Sequence, residues 1–505
     1  MKLNQLALAA AVFGVQTAGT VLSADISAED ISALKRQIEE LSQKVQTLER
    51  QNHATPHSAP TADAASTAGP GSIDQLDQKI RVLERRQELS QEAAAEKARQ
   101  TPLVSLGASG FSVSSADTNF VFKVRGYVQT DARFYPSDRV DTVANDSFLI
   151  RRARPIIEGT AFRKLDYRVM LDFGSQASLS TANNALLQDA YANLRLLPEF
   201  QIQAGKFKEP VGLERLQSGA NLLFAERAYP TQLLPNRDVG VQLHGDLFRG
   251  VIHYEAGLFN GVADGGSGDF DSSDADKDVA GRLFAHPFKN TEVEALKGLG
   301  IGISGTYGEQ SGSLRPFVSE GLQRFYTYRT STVAGSPNVQ SDGTHWRLSP
   351  QAYYYWGPFG LLAEYATSSQ EVRQAGGGAG AGLSERLSHT GWQVAVSYFL
   401  TGEKNSFKTV TPLRPVNFAS GNWGALELAA RVSQLDVDDD AFPIFANPAT
   451  SATQALSYGV GLNWHLNRNL KFTVDYGHTD FDAVAGNPFA SRSEDVVISR
   501  LQFSF

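Results

Sequence analysis

The stretch FVFKVRGYVQTDARFY, residues 120–135, alternates apolar and polar side chains over most of its length. Its even positions are mostly phenylalanine, valine and alanine, and its odd positions include Lys123, Arg125, Gln129, Asp131 and Arg133. A period of two is that of a β-strand, because successive side chains point to opposite faces of a sheet. The run therefore predicts a strand longer than those of most soluble sheets.

The same alternation returns in IRRARPIIEGTAF, residues 150–162, and in LDYRVMLDF, residues 165–173. In each run one face is largely apolar and the other carries arginine, aspartate or glutamate. A soluble sandwich would bury the apolar face and expose the charged face to water. Because the pattern is repeated to the end of the chain, we expect the reverse arrangement, with lipid outside and a wet lumen inside.

Sixteen alternating segments are predicted between residue 119 and the C-terminus. They are 119–135, 147–162, 165–174, 187–196, 200–206, 238–247, 250–259, 278–286, 300–308, 345–355, 359–368, 389–400, 425–435, 456–466, 470–480 and 496–505. Very short connectors such as 163–164 alternate with long ones such as 309–344. This order predicts an all-β fold, a 16-stranded antiparallel transmembrane β-barrel with tight periplasmic turns and longer outside loops.

An even number of strands places both chain termini on the periplasmic side of the predicted barrel. The connector 401–424 is an exception to the alternation, because it is long where a short periplasmic turn is expected. We expect this connector to fold up into the pore.

Composition excludes several other classes of protein. No apolar run reaches the roughly 18 residues that a membrane-spanning helix needs, and a closed barrel is the other structure that lipid permits. The net charge of -8 argues against nucleic acid as a partner. The chain has no cysteine, which excludes disulfides, a thiol nucleophile and thiolate metal sites.

The residues before the barrel predict four segments. Residues 1–24 have the charge, apolar run and small residues of a secretory signal peptide. Residues 25–52 and 73–100 predict periplasmic coiled-coil helices, and 53–72 is a flexible linker rich in Ala, Ser, Thr and Pro. The heptad positions are Ile31, Leu34, Ile38, Leu41, Val45 and Leu48, then Ile73, Leu76, Ile80 and Leu83. The number of helices in the coil stays open, as does the alternative of a lone solvated helix.

Several phrases resemble the phosphate-selective porin O/P family from about Arg125 to Phe505. They include RGYVQTDARFY (125–135), DSFLIRRARPIIEGTAF (146–162), LQDAYANLRLLPEFQIQAGKFKEPVGLER (187–215) and ERAYPTQLLPNRDVGVQLHGDLF (226–248). The resemblance implies a homotrimer of sixteen-stranded outer-membrane barrels. It also implies a constriction made by infolded segments, here about 207–237 and 401–424, in which basic side chains guide phosphate.

Basic groups outnumber acids on the polar face of the first four predicted strands. Arginine suits oxyanions because its planar fork donates paired hydrogen bonds. We expect pore-lining or anion-binding roles for Lys123, Arg125, Arg133, Arg152, Arg154, Arg168 and Arg195 on the wall, and for Lys208, Arg215, Lys404 and Lys408 on the infolded segments. The alternative is that these groups pair with carboxylates across strands as scaffolding. Arg151 occupies an outward position in the period-two alternation, so its side chain is predicted to face the lipid interface.

No catalytic motif, metal site or cofactor site is predicted. There is no HExxH sequence, and the nine histidines are scattered. The acidic stretches 264–278 and 436–442 have carboxylates suited to Ca²⁺, but they lack the twelve-residue loop with its closing glutamate. Calcium binding there stays open, with a solvated loop favoured.

These observations predict a non-enzymatic outer-membrane channel for the passive diffusion of small solutes, with selectivity for anions such as phosphate. The alternatives are a general porin with mild selectivity and a structural envelope protein whose coiled coil contacts the cell wall. The expected surroundings are outer-membrane lipid and lipopolysaccharide.

Overall fold

The computed structural model describes residues 78, 81–92, 101–136, 145–174, 186–269, 275–331, 333, 335–484 and 492–505. The predicted signal peptide, the first coiled-coil segment and the linker lie outside the described residues. Within the second predicted coiled-coil segment, residues 81–92 are α-helical and all their side chains are exposed. No helix among the described residues is both long and apolar enough to cross a bilayer.

The barrel consists of sixteen antiparallel strands in one closed sheet. With the four short strands included, the elements in chain order are β1 (Leu103–Gly107), β2 (Gly110–Ser114), β3 (Val121–Phe134), β4 (Ser147–Ala161), β5 (Leu165–Leu171), β6 (Leu187–Leu197), β7 (Phe200–Lys208), β8 (Arg237–Leu247), β9 (Ile252–Phe259), β10 (Asp278–Ala285), β11 (Leu299–Ser313), β12 (Phe317–Val318), β13 (Arg324–Tyr326), β14 (Val339–Trp356), β15 (Phe359–Gln374), β16 (Ser384–Phe399), β17 (Ala425–Asp436), β18 (Gln454–His465), β19 (Leu470–Asp482) and β20 (Ser493–Ser504). Strands β3–β11 and β14–β20 each pair with the next, and β20 pairs with β3 to close the ring. All sixteen predicted segments are confirmed as strands.

Side-chain exposure follows the predicted inversion. Along β16, Val394, Val396 and Tyr398 point outward and are 41%, 37% and 49% exposed, whereas the alternate residues Gln393, Ala395 and Ser397 are buried. Charged groups such as Asp131 and Arg133 are likewise inside. The outer face is therefore apolar and the inner face polar, which is the pattern required by a barrel in lipid.

The two ends of the barrel differ in their connectors. We call the end with connectors such as 357–358 and 466–469 the turn end, and the opposite end the loop end. The connector 286–298 at the turn end is also long, and it contains a short 3-10 helix, Glu294–Leu296. The segment 400–424 is thus one of two exceptions at this end.

A hairpin that the sequence did not predict extends the wall at the turn end. Its second strand, β2, pairs with the start of β3, with Phe111 opposite Val124, where β20 no longer reaches. The first strand, β1, pairs only with β2 among the described strands. The hairpin therefore lengthens the sheet beyond the closed ring.

The loop end of the lumen contains an apolar core built mainly by connectors. Side chains from 229–234, from the small sheet of β12 and β13, and from 437–453 pack together with inward residues of the wall. Its larger members are Tyr229, Leu233, Leu234, Phe259, Phe317, Phe325, Tyr326, Phe445 and Phe481. This core fills part of the lumen, so the interior is wet only where the connectors leave space.

Candidate permeation pathway

The third loop, residues 209–236, crosses the lumen and is bonded to opposite parts of the wall. The Gly212 backbone N–H donates to Ser304 Oγ of β11 at 2.9 Å. Farther along the loop, Gly219 O accepts from Gln129 Nε2 of β3 at 2.8 Å, and Leu222 O accepts from Lys471 Nζ of β19 at 3.0 Å. The loop is therefore fixed across the barrel and narrows it, as the family resemblance implies.

A group of arginines holds the tip of the third loop. Glu226 Oε1 lies 2.6 Å from Arg133 Nη2, 2.7 Å from Arg151 Nε and 3.2 Å from Arg500 Nη2. Arg152 Nη2 lies 3.9 Å from Glu226 Oε2. Burial alone would raise the pKa of Glu226, but these guanidinium groups lower it well below its usual value.

The prediction that Arg151 faces lipid is wrong. Gln129 of β3 pairs with Arg152 and the next residue, Thr130, pairs with Ile150, so Arg151 forms a β-bulge in β4. A bulge redirects the side chain that period-two counting would send outward. This is why Arg151 reaches Glu226 inside the barrel.

A cavity of about 500 Å³ lies at the turn end, between the third loop and segment 400–424. Its lining carries more basic than acidic groups. The basic residues are Lys123, Arg125, Arg168, Lys408, Arg431, Arg468 and Lys471, and the acidic residues are Glu158, Glu214 and Glu427. Arg125 is paired with Glu158, at 2.6 Å from Nε to Oε1.

A smaller cavity of about 270 Å³ lies between the third loop and the wall of β3–β9. Tyr127, Arg168 and Ser218 line both cavities, so the two spaces adjoin at these residues. The charged lining of the smaller cavity consists of Arg154, Arg168, Lys208, Arg237, Asp189 and Glu255. Four basic groups and two carboxylates thus line the space between the third loop and the wall.

The basic groups of the smaller cavity are held in fixed positions. Asp189 bridges two of them, with Oδ1 2.7 Å from Arg237 Nε and Oδ2 3.1 Å from Arg168 Nε. Lys208 Nζ donates to the carbonyl oxygens of Arg215 and Gln217, at 2.7 and 2.8 Å. Arg154 is paired as well, with Nε 2.7 Å from Asp172 Oδ2, so these bonds fix where the basic groups point.

Segment 400–424 enters the lumen from the turn end, as expected. Asn405 Nδ2 donates to Ser397 Oγ on the inner wall at 2.7 Å. The segment also contacts the third loop, because Thr409 Oγ1 donates to Asn221 Oδ1 at 2.7 Å. The two infolded segments therefore meet inside the barrel.

The residues singled out from sequence occupy four different places. The two cavities are lined by Lys123, Arg125, Arg154, Arg168, Lys208 and Lys408. Arg133 and Arg152 are buried against Glu226, and Arg215 is buried within the third loop, where burial lowers its pKa to about 9. Arg195 pairs with Asp166 at the turn end and is half-exposed, and Lys404 is exposed and lines neither cavity.

Sequence reasoning missed the basic groups of the last strands. Arg431, Lys471 and Arg500 point inward from β17, β19 and β20, and all three touch the third loop. Arg431 also stacks on Phe224 of that loop, with Cζ 4.3 Å from the ring centroid. The signal that identifies them is present in the sequence, because the period-two pattern of the last strands places all three on the polar face.

The acidic stretch 264–278 is only partly described. Asp264 pairs with Arg347 Nε of β14 at 2.7 Å. Burial alone would raise the pKa of Asp264, but the guanidinium of Arg347 lowers it below its usual value. Among the residues that the structure describes, no three aspartate, glutamate or histidine side chains are grouped to hold a metal ion.

Comparison with known proteins finds one matching family, a relative in that family and several similar barrel structures. A family model described as phosphate-selective porin O and P matches residues 122–505. Porin O of Pseudomonas aeruginosa is 24% identical over 425 residues, which cover 78% of this chain and 91% of that protein. Among solved structures, the outer membrane channel DcaP of Acinetobacter baumannii is 12% identical, with a TM-score of 0.47 over 79% of this chain and 100% of the other. An anion-selective porin from Comamonas acidovorans is 12% identical, with a TM-score of 0.44 over 76% and 100%.

Proposed function

We propose that this chain, which belongs to the phosphate-selective porin O and P family, passes small anions, phosphate among them, along the wall of β3–β9. Family membership makes the protein a channel of the bacterial outer membrane and not an enzyme. The proposal concerns the finer points, which are the charge of the solute and the route that it takes.

The observation that carries the proposal is the excess of basic over acidic groups in the lining of the smaller cavity, between the third loop and the wall. Arg154, Arg168, Lys208 and Arg237 face Asp189 and Glu255 in the smaller cavity. A solute in a pore is selected by the width of the pore and by the field of the lining side chains. Close, partly desolvated guanidinium and ammonium groups attract anions and repel cations, and they donate the hydrogen bonds that an oxyanion accepts.

Basic groups continue along the route from the smaller cavity toward the turn end. Toward the turn end, Lys123, Arg125, Lys408 and Lys471 border the larger cavity. Arg168 lines both cavities, so an anion leaving the constriction meets a basic group at each step. A series of sites that are each attractive but not tight allows conduction as well as selection.

The test is the zero-current potential of the purified protein in a planar bilayer under a potassium chloride gradient. We expect this potential to have the sign that indicates a preference for anions. Arg154→Ala should move the potential toward zero, because one of the four basic groups of the smaller cavity is lost. Arg195→Ala is the matched control, since Arg195 lines neither cavity. Added phosphate should reduce the chloride current by competing for the same groups.

Two results would favour the general porin instead. The first is a zero-current potential near zero in the parent channel. The second is an equal response to Arg154→Ala and Arg195→Ala, which would mean that the arginines serve as paired scaffolding. Assembly as a homotrimer and contact of the predicted coiled coil with the cell wall stay predictions from the sequence.

A further inference from the structure

Segment 400–424 carries an aromatic residue that is built into the inner wall. The ring of Phe407 stacks on Tyr353 of β14, with centroids 5.3 Å apart and an interplanar angle of 21°. Tyr353 is itself fixed, because its hydroxyl is hydrogen bonded to His286 Nε2 at 2.7 Å and its ring packs 5.1 Å from Phe284. Phe407 therefore completes an aromatic cluster on the wall.

The neighbouring strand leaves room for these rings. A Cβ added at Gly300 of β11 would lie 2.6 Å from Phe284 and 2.7 Å from Tyr353. A Cβ at Gly302 would lie 2.5 Å from Phe284. Any larger residue at these positions would displace the rings that hold Phe407.

Phe407 also touches the third loop through its backbone. Its carbonyl oxygen accepts a hydrogen bond from Gln217 Nε2 at 2.9 Å. Two residues later, Thr409 is bonded to Asn221 of the same loop. Lys408 lies between these two contacts and lines the larger cavity.

We propose that Phe407 is a positioning residue of the permeation path. Its stacked ring holds residues 403–410 under the third loop, which narrows the path and keeps the Lys408 ammonium group beside it. The part that concerns Lys408 and anions rests on the proposed function, whereas the part that concerns the width of the path does not.

The first test compares single-channel conductance in planar bilayers. Phe407→Ala should raise the conductance on the order of twofold, because the released segment no longer narrows the lumen. Phe407→Leu should act in the same direction, and Phe407→Tyr should keep the parent value because the ring is retained. Phe418→Ala is the matched control, since Phe418 belongs to the same segment but is 64% exposed and packs on Trp423.

The second test separates positioning from charge. Lys408→Ala should reduce the anion preference of the parent channel but have little further effect in the Phe407→Ala background, where Lys408 is no longer held at the path. Equal effects in both backgrounds would overturn the positioning role. If Lys408→Ala and Arg154→Ala both leave the zero-current potential unchanged, the proposed function fails. The conductance of Phe407→Ala still tests the positioning role of Phe407, because that role concerns the width of the path.

The third test restores the position by other means. Because the chain has no cysteine, Asn221→Cys and Thr409→Cys introduce the only thiols. Joining them with a short bifunctional thiol reagent in the Phe407→Ala background should return the conductance to the parent value. A parent-like conductance of Phe407→Ala and Phe407→Leu before cross-linking, or no recovery after verified cross-linking, would contradict the proposal.

Discussion

At the scale of single residues, Glu226 determines where the third loop ends its crossing of the lumen. Arg133, Arg151 and Arg500 surround its carboxylate, and Arg133 and Arg500 also share a second buried acid, Asp131. With Arg152, four guanidinium groups lie within 3.9 Å of the Glu226 carboxylate. Removing the charge of Glu226 would therefore leave buried positive charge uncompensated.

Glu226→Gln should therefore destabilise the barrel and release the loop tip. Breaking a buried pair from one side costs about 3–5 kcal/mol. We expect a lower midpoint in urea unfolding of the protein in detergent micelles and a larger single-channel conductance. Glu371→Gln is the control, because Glu371 pairs with Arg386 on a part-exposed site where ion pairs contribute about 0–1 kcal/mol. Equal shifts in both variants would refute a special role for Glu226.

The depressed pKa of Glu226 also predicts a pH range. A carboxyl group whose pKa is lower in the folded state stabilises the fold fully above its unfolded pKa, near 4.5, and this contribution is lost as pH falls through the folded value. The third loop should therefore keep its position from about pH 8 to about pH 5, and the single-channel conductance that this position sets should stay constant over that range. A rise in conductance within that window would contradict the assignment.

At the scale of elements, Gly212 sets the start of the third loop. It has a φ of +82°, and a Cβ there would lie 2.6 Å from Leu234 Cδ1 and 2.9 Å from Glu364 Oε1. Gly212→Ala should strain the backbone by about 1–3 kcal/mol and push the loop from its bonds to β11 and β15. Gly421→Ala shares the positive φ but has open space, so only Gly212→Ala should alter single-channel conductance. An unchanged conductance in Gly212→Ala would show that this turn does not set the loop position.

The strands were predictable from the sequence because lipid and water impose opposite demands on the two faces of the wall. The prediction fell short where the wall leaves the bilayer. Strand β14 begins at Val339 and not at 345, and β16 begins at Ser384 and not at 389. Outward residues there, such as Asp342 and Arg386, are polar, since no lipid requires an apolar face.

The site was less predictable than the wall. Parity placed Lys123, Arg125, Arg154 and Arg168 on the inner face, and these residues line the cavities. Parity could not show that Arg133 and Arg152 are covered by the third loop, because that depends on long-range contacts of the loop. Nor could it reveal the bulge at Arg151, which shifts the count by one residue.

At the scale of the whole molecule, the barrel is stable in lipid only if its outer face stays apolar. Val394 lies on that face of β16, between the rings of Trp392 and Tyr398. Val394→Arg should cost about 2–4 kcal/mol if it lies near the bilayer midplane, whereas Ser388→Arg, on the same face near the loop end, should cost about 0–1 kcal/mol. Urea titration of the protein refolded in lipid vesicles would measure the difference. Similar costs for both would contradict the assigned membrane position.

At this scale the proposed route passes the third loop where the two cavities adjoin. Ser218 lies on the third loop, is exposed, and lines both cavities. In a chain without cysteine, Ser218→Cys gives a single thiol at this point. The measurement is the rate at which negatively and positively charged methanethiosulfonate reagents modify that thiol while current is recorded. We expect both reagents to reduce the current and the anionic reagent to react faster than the cationic one. Unchanged current after complete modification, or faster reaction of the cationic reagent, would contradict an anion path beside the third loop.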